Sequence, residues 1–298
     1  MLEKVEALMR KHIESIKDSR SLELYDKIPK GKRLRAKLIL KIAGNTQEAI
    51  ELASVVELIH AASLLHDDVI DEADTRRGVT SINSLFGNMT AIMLGDILYS
   101  KGFEELTNLP SEVTRSIANA VTQLSVGELL DVELASSFNS NQDVYFDMIY
   151  KKTASLIEAS AFSAASLSNK DTKKYALYGK NLGLAFQIID DVLDITSSSE
   201  VLGKPALNDF REGKTTLPYL YMYEKLDTKE KEELVSYFGK DLSEEESNWI
   251  KNKFEETGAI TKTIEYTKKL GNEALEAIKN ENLPELENII KEMIVRDF

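Results

Sequence analysis

Leu52-Ala53-Ser54-Val55-Val56-Glu57-Leu58-Ile59-His60-Ala61-Ala62-Ser63-Leu64-Leu65-His66-Asp67-Asp68-Val69-Ile70-Asp71 is the stretch from which the fold of this chain is read. Leu52, Val55, Val56, Ile59, Ala62, Ser63 and His66 recur with the i, i+3, i+4, i+7 rhythm of an α-helix. From Ala53 to Leu65 the segment is apolar almost all round, which predicts a helix at the centre of a core. It ends in Asp67-Asp68-Val69-Ile70-Asp71, a D-D-x-x-D box. Carboxylates set into apolar helices cost folding energy unless something pairs with them. A second box, Asp190-Asp191-Val192-Leu193-Asp194, follows a second helical pattern through Leu182, Ala185, Phe186 and Ile189.

Outward from these helices the chain stays helical. Its prolines, Pro29, Pro110, Pro205, Pro218 and Pro284, leave long intervals open to helix. No segment alternates with period two between hairpin signals, so strands are not expected. Ala154 to Leu167, rich in Ala and Ser, reads as a tightly packed helix, and Glu224 to Phe298, dense in Lys and Glu, as amphipathic outer helices. Without linker or repeat, a single all-α domain over residues 1–298 is the expectation. Thr196 to Pro218, with Ser197-Ser198-Ser199, two Gly and two Pro, reads as a non-helical lid after the second box.

Composition narrows the function. A net charge of −13 over 298 residues argues against nucleic acid, which needs a basic stripe. The absence of Cys excludes disulfides and thiolate metal sites and fits a reducing compartment. Met1-Leu2-Glu3-Lys4-Val5-Glu6 has no apolar signal core, and no run reaches the roughly 18 apolar residues of a membrane span. A cytoplasmic protein with at most peripheral membrane contact is expected.

Within each box the first and last Asp lie four apart, so on a helix they share a face and reach one metal or a pair. Mg²⁺ suits carboxylate oxygens and completes its shell with water and substrate phosphates. Asp68 and Asp191 point off that line and are placed to hydrogen-bond or to hold waters. A lone box is often a solvated acidic turn; two boxes at the ends of apolar helices are not explained that way. Gly31-Lys32-Arg33-Leu34-Arg35, Thr75-Arg76-Arg77-Gly78, Lys151-Lys152-Thr153, Gly203-Lys204 and Gly213-Lys214-Thr215-Thr216 are phosphate-contact candidates, although each alone is more often surface charge. Arg76-Arg77 stands out, five residues after the first box. A lone His in an apolar helix is more often a core residue, but His60 lies on the box-bearing helix, just under two turns ahead of it.

At these residues, from about Lys30 to Pro218, the chain resembles the trans-type polyprenyl diphosphate synthases, as a medium- or long-chain member. The resemblance rests on the two boxes, the Arg76-Arg77 pair, Phe186-Gln187 before the second box, Lys152-Thr153-Ala154, and Gly31-Lys32-Arg33-Leu34-Arg35, where Ala36 replaces a usual Pro. It implies an isoprenoid synthase fold, helices surrounding a central active-site cavity. It implies condensation of isopentenyl diphosphate with an allylic diphosphate, farnesyl or geranylgeranyl, to a linear all-trans product. By resemblance Asp67, Asp71, Lys152, Thr153, Gln187 and Asp190 are catalytic, and Asp67, Asp68, Asp71, Asp190, Asp191 and Asp194 form the metal set for Mg²⁺, about three ions with substrate bound. Gly31, Lys32, Arg35, His60 and Arg77 would take isopentenyl diphosphate; Arg76, Lys152, Lys204 and Lys214 the allylic diphosphate. A homodimer is implied, with Leu94 to Phe103 as its candidate interface helix.

Ala62 and Ser63, five and four residues before Asp67, are small where the family's short-chain members carry bulky aromatics. That predicts a product of about C30 to C50, unless these residues only let two helices pack closely. The rivals are a farnesyl or geranylgeranyl diphosphate synthase and, further off, a terpene cyclase, whose second metal motif is usually of N-S-E type. A non-catalytic subunit would have lost the boxes.

Overall fold

Thr46 starts the decisive helix: its Oγ1 accepts from Ala49 N at 3.1 Å, and Glu48 sits in the first turn, favourable to the helix dipole. The computed structural model describes residues 1–196, 207–281 and 283–294. Its first part runs α1 (Leu2–Ser15), α2 (Ser19–Tyr25), α3 (Leu34–Ala43), α4 (Gln47–Ile70), α5 (Ile82–Phe86), α6 (Asn88–Leu106) and α7 (Ser111–Leu134). Then come α8 (Gln142–Ile149), a π-helical turn (Tyr150–Ala154), α9 (Ser155–Leu167) and α10 (Thr172–Thr196). After 206 come α11 (Asn208–Arg211), α12 (Leu217–Lys225), α13 (Thr228–Tyr237), α14 (Glu244–Thr257), α15 (Ala259–Ile278) and α16 (Pro284–Ile294). The all-α expectation holds among the described residues, with one small exception. Thr75–Arg76 pairs antiparallel with Val79–Thr80 in a two-residue ribbon that the absence of period-two patterning did not predict. It is too short to leave a period.

The chain forms two compact units, residues 1–121 with 159–176, and 122–158 with 177–298. In the first, α4 is the core helix, packed against α1, α3 and α6. Leu52, Val55, Val56, Leu58 and Ile59 are fully buried, each worth about 1.5–3 kcal/mol of apolar burial. By length and composition α4 could cross a membrane, with mean hydropathy 1.4 over its most apolar window, yet 78% of that window is buried inside the fold. Between Leu52 and Leu65 its only titratable side chains are Glu57 and His60. Packing with α6 is close: a Cβ at Gly102 would stand 3.1 Å from Ile59 Cγ1, and one at Gly95 would overlap the His66 ring. Leu94 and Leu98 of α6 are buried, so its exposed apolar residues are instead Met89, Ile92 and Met93. His12 of α1 lies 3.1 Å from Glu51 of α4 and 3.3 Å from Glu105 of α6, tying three helices.

In the second unit α12 packs on α14 and α15, and α15 on α16. Capping boxes open α13 (Asp227 with Glu230) and α14 (Ser243 with Glu246), and Gly258 at φ 65° ends α14. These are the amphipathic helices expected after Glu224. The expected lid is only partly non-helical: Thr196 closes α10, residues 208–211 form α11, and Pro218 sits in the first turn of α12, where its missing N–H costs nothing. Ser197 to Pro205, with Lys204, lies outside the described residues.

Candidate active site

The loop after Ile70 shapes the first Asp box. α4 stops at Ile70, and Ala73 N donates back to Asp68 O at 2.9 Å. The ribbon then reverses through Arg77 (φ 55°) and Gly78 (φ 75°), positive at both central positions, the type I′ pattern that suits a right-twisted hairpin. Asn83 Nδ2 pins the loop by donating to Asp68 O and Ala73 O, both at 3.1 Å. Arg76 Nε consequently turns back and pairs with the buried Asp68 carboxylate. Burial raises the Asp68 pKa against the pull of Arg76. Asp67 is half-buried and Asp71 exposed, while Asp68 faces inward, as the off-line geometry requires.

Arg77 lies across Gly31. Its Nη1 donates to Pro29 O at 3.0 Å, and a Cβ on residue 31 would stand 2.6 Å from that guanidinium. Arg33, at φ 54°, precedes α3 but supplies no cap. Glu57 of α4 does so instead, accepting from Ala36 N at 2.9 Å and facing Arg33 Nη1 at 3.4 Å. Glu57 is 2% exposed, so a single buried carboxylate underlies a group of arginines. Burial pushes Arg35 down to about 10, against the pull of Glu57 and Asp67. Burial, then Arg35, Arg77, Arg76 and Arg33, hold the His60 pKa well below its ordinary value, so its ring is neutral. Arg35 Nε and His60 Nδ1 are both buried without a hydrogen-bond partner. The unit thus assembles Gly31, Arg35, His60, Arg76 and Arg77, with Lys32 exposed beside them.

In the second unit the π turn carries Lys152, Thr153 and Ala154. Widened turns of this kind are rare and frequently mark functional positions. Its backbone is approached from two sides: a Cβ at Gly127 would overlap Lys152 N, and one at Gly183 would stand 2.6 Å from Ala154 Cα. Lys152 Nζ lies 2.6 Å from Asp131 and 2.9 Å from Glu128. Burial opposes its ammonium, but the two carboxylates outweigh that and hold its pKa above the ordinary value. Thr153 Oγ1 donates to Gln187 Oε1 at 2.8 Å, Gln187 Nε2 to Asp191 Oδ1 at 2.9 Å, and Tyr145 OH to Asp191 Oδ2 at 2.5 Å. Burial and Asp209 push Asp191 up to about 8 despite those two hydrogen bonds.

Asp190 is half-buried, whereas Asp194 is buried and accepts from Asp209 N at 3.0 Å, holding the start of α11. Lys214 Nζ lies 2.9 Å from Glu212. Glu57, Tyr145, Glu128 and Asp131 do not stand out in the sequence. The available signal for Glu57 is its position one helical turn before His60 in an otherwise apolar helix; Tyr145 belongs to no motif.

Residues 21–254 match the polyprenyl synthetase family model. The chain belongs to the polyprenyl synthetase family. A prenyl transferase of Cyanophora paradoxa is 38% identical over 266 residues, 85% of this chain and 80% of the relative. The octaprenyl pyrophosphate synthase of Helicobacter pylori superposes with a TM-score of 0.94 at 46% identity, covering 99% of this chain and 98% of that one. A polyprenyl synthase of Caulobacter crescentus, crystallised with calcium and isoprenyl diphosphate, gives 0.90 at 30% identity over 99% and 94%. The fold is therefore the isoprenoid synthase fold, and the chain is a trans-type prenyltransferase of the medium- to long-chain group.

Proposed function

We propose that the chain condenses isopentenyl diphosphate with farnesyl or geranylgeranyl diphosphate to a linear all-trans polyprenyl diphosphate of about C30 to C50, and that its Asp boxes and basic clusters are the site. The observation that carries the reading is the pair of buried nitrogens without a hydrogen-bond partner, Arg35 Nε and His60 Nδ1, among Arg33, Arg76 and Arg77. Buried polar groups are seldom left unpaired without a ligand to meet them. A convergent group of guanidiniums with a neutral imidazole suits a diphosphate, which accepts from both. Gly31, Lys32, Arg35, His60 and Arg77 would hold isopentenyl diphosphate; Arg76, Lys152, Lys204 and Lys214 the allylic diphosphate.

Asp67, Asp71 and Asp190 fit Mg²⁺, being all-oxygen donors that stand nearer solvent than Asp68, Asp191 and Asp194. When bound, Mg²⁺ supplies positive charge to the departing diphosphate. The calcium in the Caulobacter enzyme's crystal supports a divalent ion. The basic side chains stabilise the pyrophosphate as the allylic C–O bond breaks and the electron pair leaves with oxygen. Thr153 and Gln187 turn dipoles to the cation that remains. The double bond of isopentenyl diphosphate attacks it, and a proton is lost to the released pyrophosphate. No protein nucleophile is needed.

Incubation of the purified protein with farnesyl diphosphate, isopentenyl diphosphate and Mg²⁺ should give linear diphosphates that disappear on chelation and return with Mg²⁺. Cyclic hydrocarbons, or turnover indifferent to chelation, would sink the reading. A cytoplasmic homodimer is the assembly we propose, testable by sedimentation.

A further inference from the structure

The stretch that leads into α3 carries Gly31 and Lys32 and has no regular structure from Pro29 to Arg33. Guanidiniums hold it at both ends. The Pro29 carbonyl accepts from Arg77 Nη1 at 3.0 Å. At the other end stands Arg33, whose own side chain reaches two helices. Its Nε donates to Glu6 of α1 at 3.2 Å, and its Nη1 to Glu57 of α4 at 3.4 Å. Burial disfavours the Glu6 carboxylate, but the hydrogen bonds from Lys30 and Arg33 outweigh it and hold the pKa below the ordinary value. Glu6 is therefore ionised near neutral pH.

Arg33 holds its place against its own backbone preference. At φ 54° and ψ 44° it lies in the left-handed region, where glycine or asparagine is the ordinary choice. Its carbonyl takes Lys37 N at 2.9 Å at the start of α3, yet its side chain caps nothing. Serine, threonine, aspartate or asparagine would cap a helix there. A residue strained in this way persists where its surroundings fix it. The surroundings that fix Arg33 are two carboxylates on helices remote in sequence. Nε and Nη1 are both spent on them, whereas Arg35 Nε, two residues on, is buried without a hydrogen-bond partner. One arginine is anchored and its neighbour is left open to a ligand.

We propose that Arg33 is a positioning residue for isopentenyl diphosphate. Tied between Glu6 and Glu57, its guanidinium fixes the stretch from Pro29 to Arg35 so that Gly31, Lys32 and Arg35 meet the diphosphate. Glu6 makes α1 part of that support. This rests on the proposed function, which assigns Gly31, Lys32 and Arg35 to this substrate. By charge alone, removing Glu6 would favour a nearby polyanion and free Arg33 to bind it, lowering KM. Loss of an anchor has the opposite effect.

The test measures kcat and KM for both diphosphates on Glu6→Ala, Arg33→Gly and the double variant, with helical circular dichroism as a check on folding. Glycine at position 33 removes the side chain and relieves the positive φ, so backbone strain cannot explain a loss. Arg33→Gly should raise KM for isopentenyl diphosphate about tenfold and Glu6→Ala about threefold, with kcat and KM for farnesyl diphosphate within about twofold of wild type. The double variant should be no worse than Arg33→Gly alone, since Glu6 acts through Arg33. A lowered or unchanged KM in Glu6→Ala, an unchanged KM in Arg33→Gly, an equal rise for both substrates, or rises that multiply in the double variant would overturn the proposal. Glu6 is partly exposed on α1, so Glu6→Ala decides the matter should Arg33→Gly not fold. Lys32→Ala separates the tether from the reading beneath it. If wild type turns over but Lys32→Ala leaves KM for isopentenyl diphosphate unaltered, the placement of that substrate fails and the tether falls with it. If Lys32→Ala raises that KM and Glu6→Ala does not, the tether alone fails.

Discussion

Gly31 and His60 carry the residue-scale expectations. A methyl group at Gly31 would first meet the guanidinium of Arg77, the far end of a flexible side chain. Gly31→Ala should displace that guanidinium at little cost to the fold. We expect KM for isopentenyl diphosphate to rise about tenfold, the scale of one charge-assisted hydrogen bond, with the melting temperature unchanged. His60 is neutral in the fold because burial and the arginines lower its pKa below the ordinary 6.5. Above that value neither folded nor unfolded chain binds the proton; below it only the unfolded chain does, so stability falls as pH drops through about 6.5. Relative to wild type, His60→Gln should gain about 1 kcal/mol between pH 7.5 and 5.5, read from urea midpoints. The Arg76-Arg77 pair is legible in the sequence because its place along the chain, just after the box, is also its place in space. Glu57 is not, since the partners that make it a cap, Ala36 and Arg33, reach it only through the pairing of α3 with α4.

The π turn is the element-scale lesson. Tyr150-Lys151-Lys152-Thr153-Ala154 contains nothing that forbids an ordinary α-helical turn, and the sequence predicts a helix from Ala154 without a bulge. Where the turn widens, Gly127 and Gly183 bring backbone against backbone. Neither glycine is needed for a positive φ, and neither looks unusual in the sequence. Gly127→Ala should push the Lys152 backbone away and cost about 1–3 kcal/mol, the range for overpacking, visible as a lower urea midpoint and a lower kcat. Helix α4 shows the opposite case. Its apolar pattern is sufficient to place it at the core, because a helix buried on nearly every face leaves that record in composition.

At the scale of the molecule the open quantity is product length. Ala62 and Ser63 are buried at 0% and 3% exposure, and Ser63 Oγ donates to His60 O at 2.9 Å. They flank the Ile59–His66 line along which α4 meets Gly102 and Gly95 of α6. Close packing on this side leaves room for a second role only if the small side chains also bound the product. Ala62→Phe and Ser63→Phe should each shorten the product to about C15–C20, as sized by chromatography of the dephosphorylated lipids, through simple steric blockage. Unchanged product length in both would leave these residues as packing elements alone.

The fold class, the core helix, the two acidic boxes and the choice of a diphosphate over nucleic acid were determined by the sequence itself, because periodicity, local spacing and net charge are properties of neighbours along the chain. The tertiary structure alone decided that Asp194 is buried with Asp191 and accepts from Asp209 N, that Glu57 supports the arginine cluster, that Asp131 and Glu128 clamp Lys152, and that Tyr145 meets Asp191. Each of these is a contact between residues far apart in sequence, created when helices pack, and its energy comes from burial that no single segment possesses on its own.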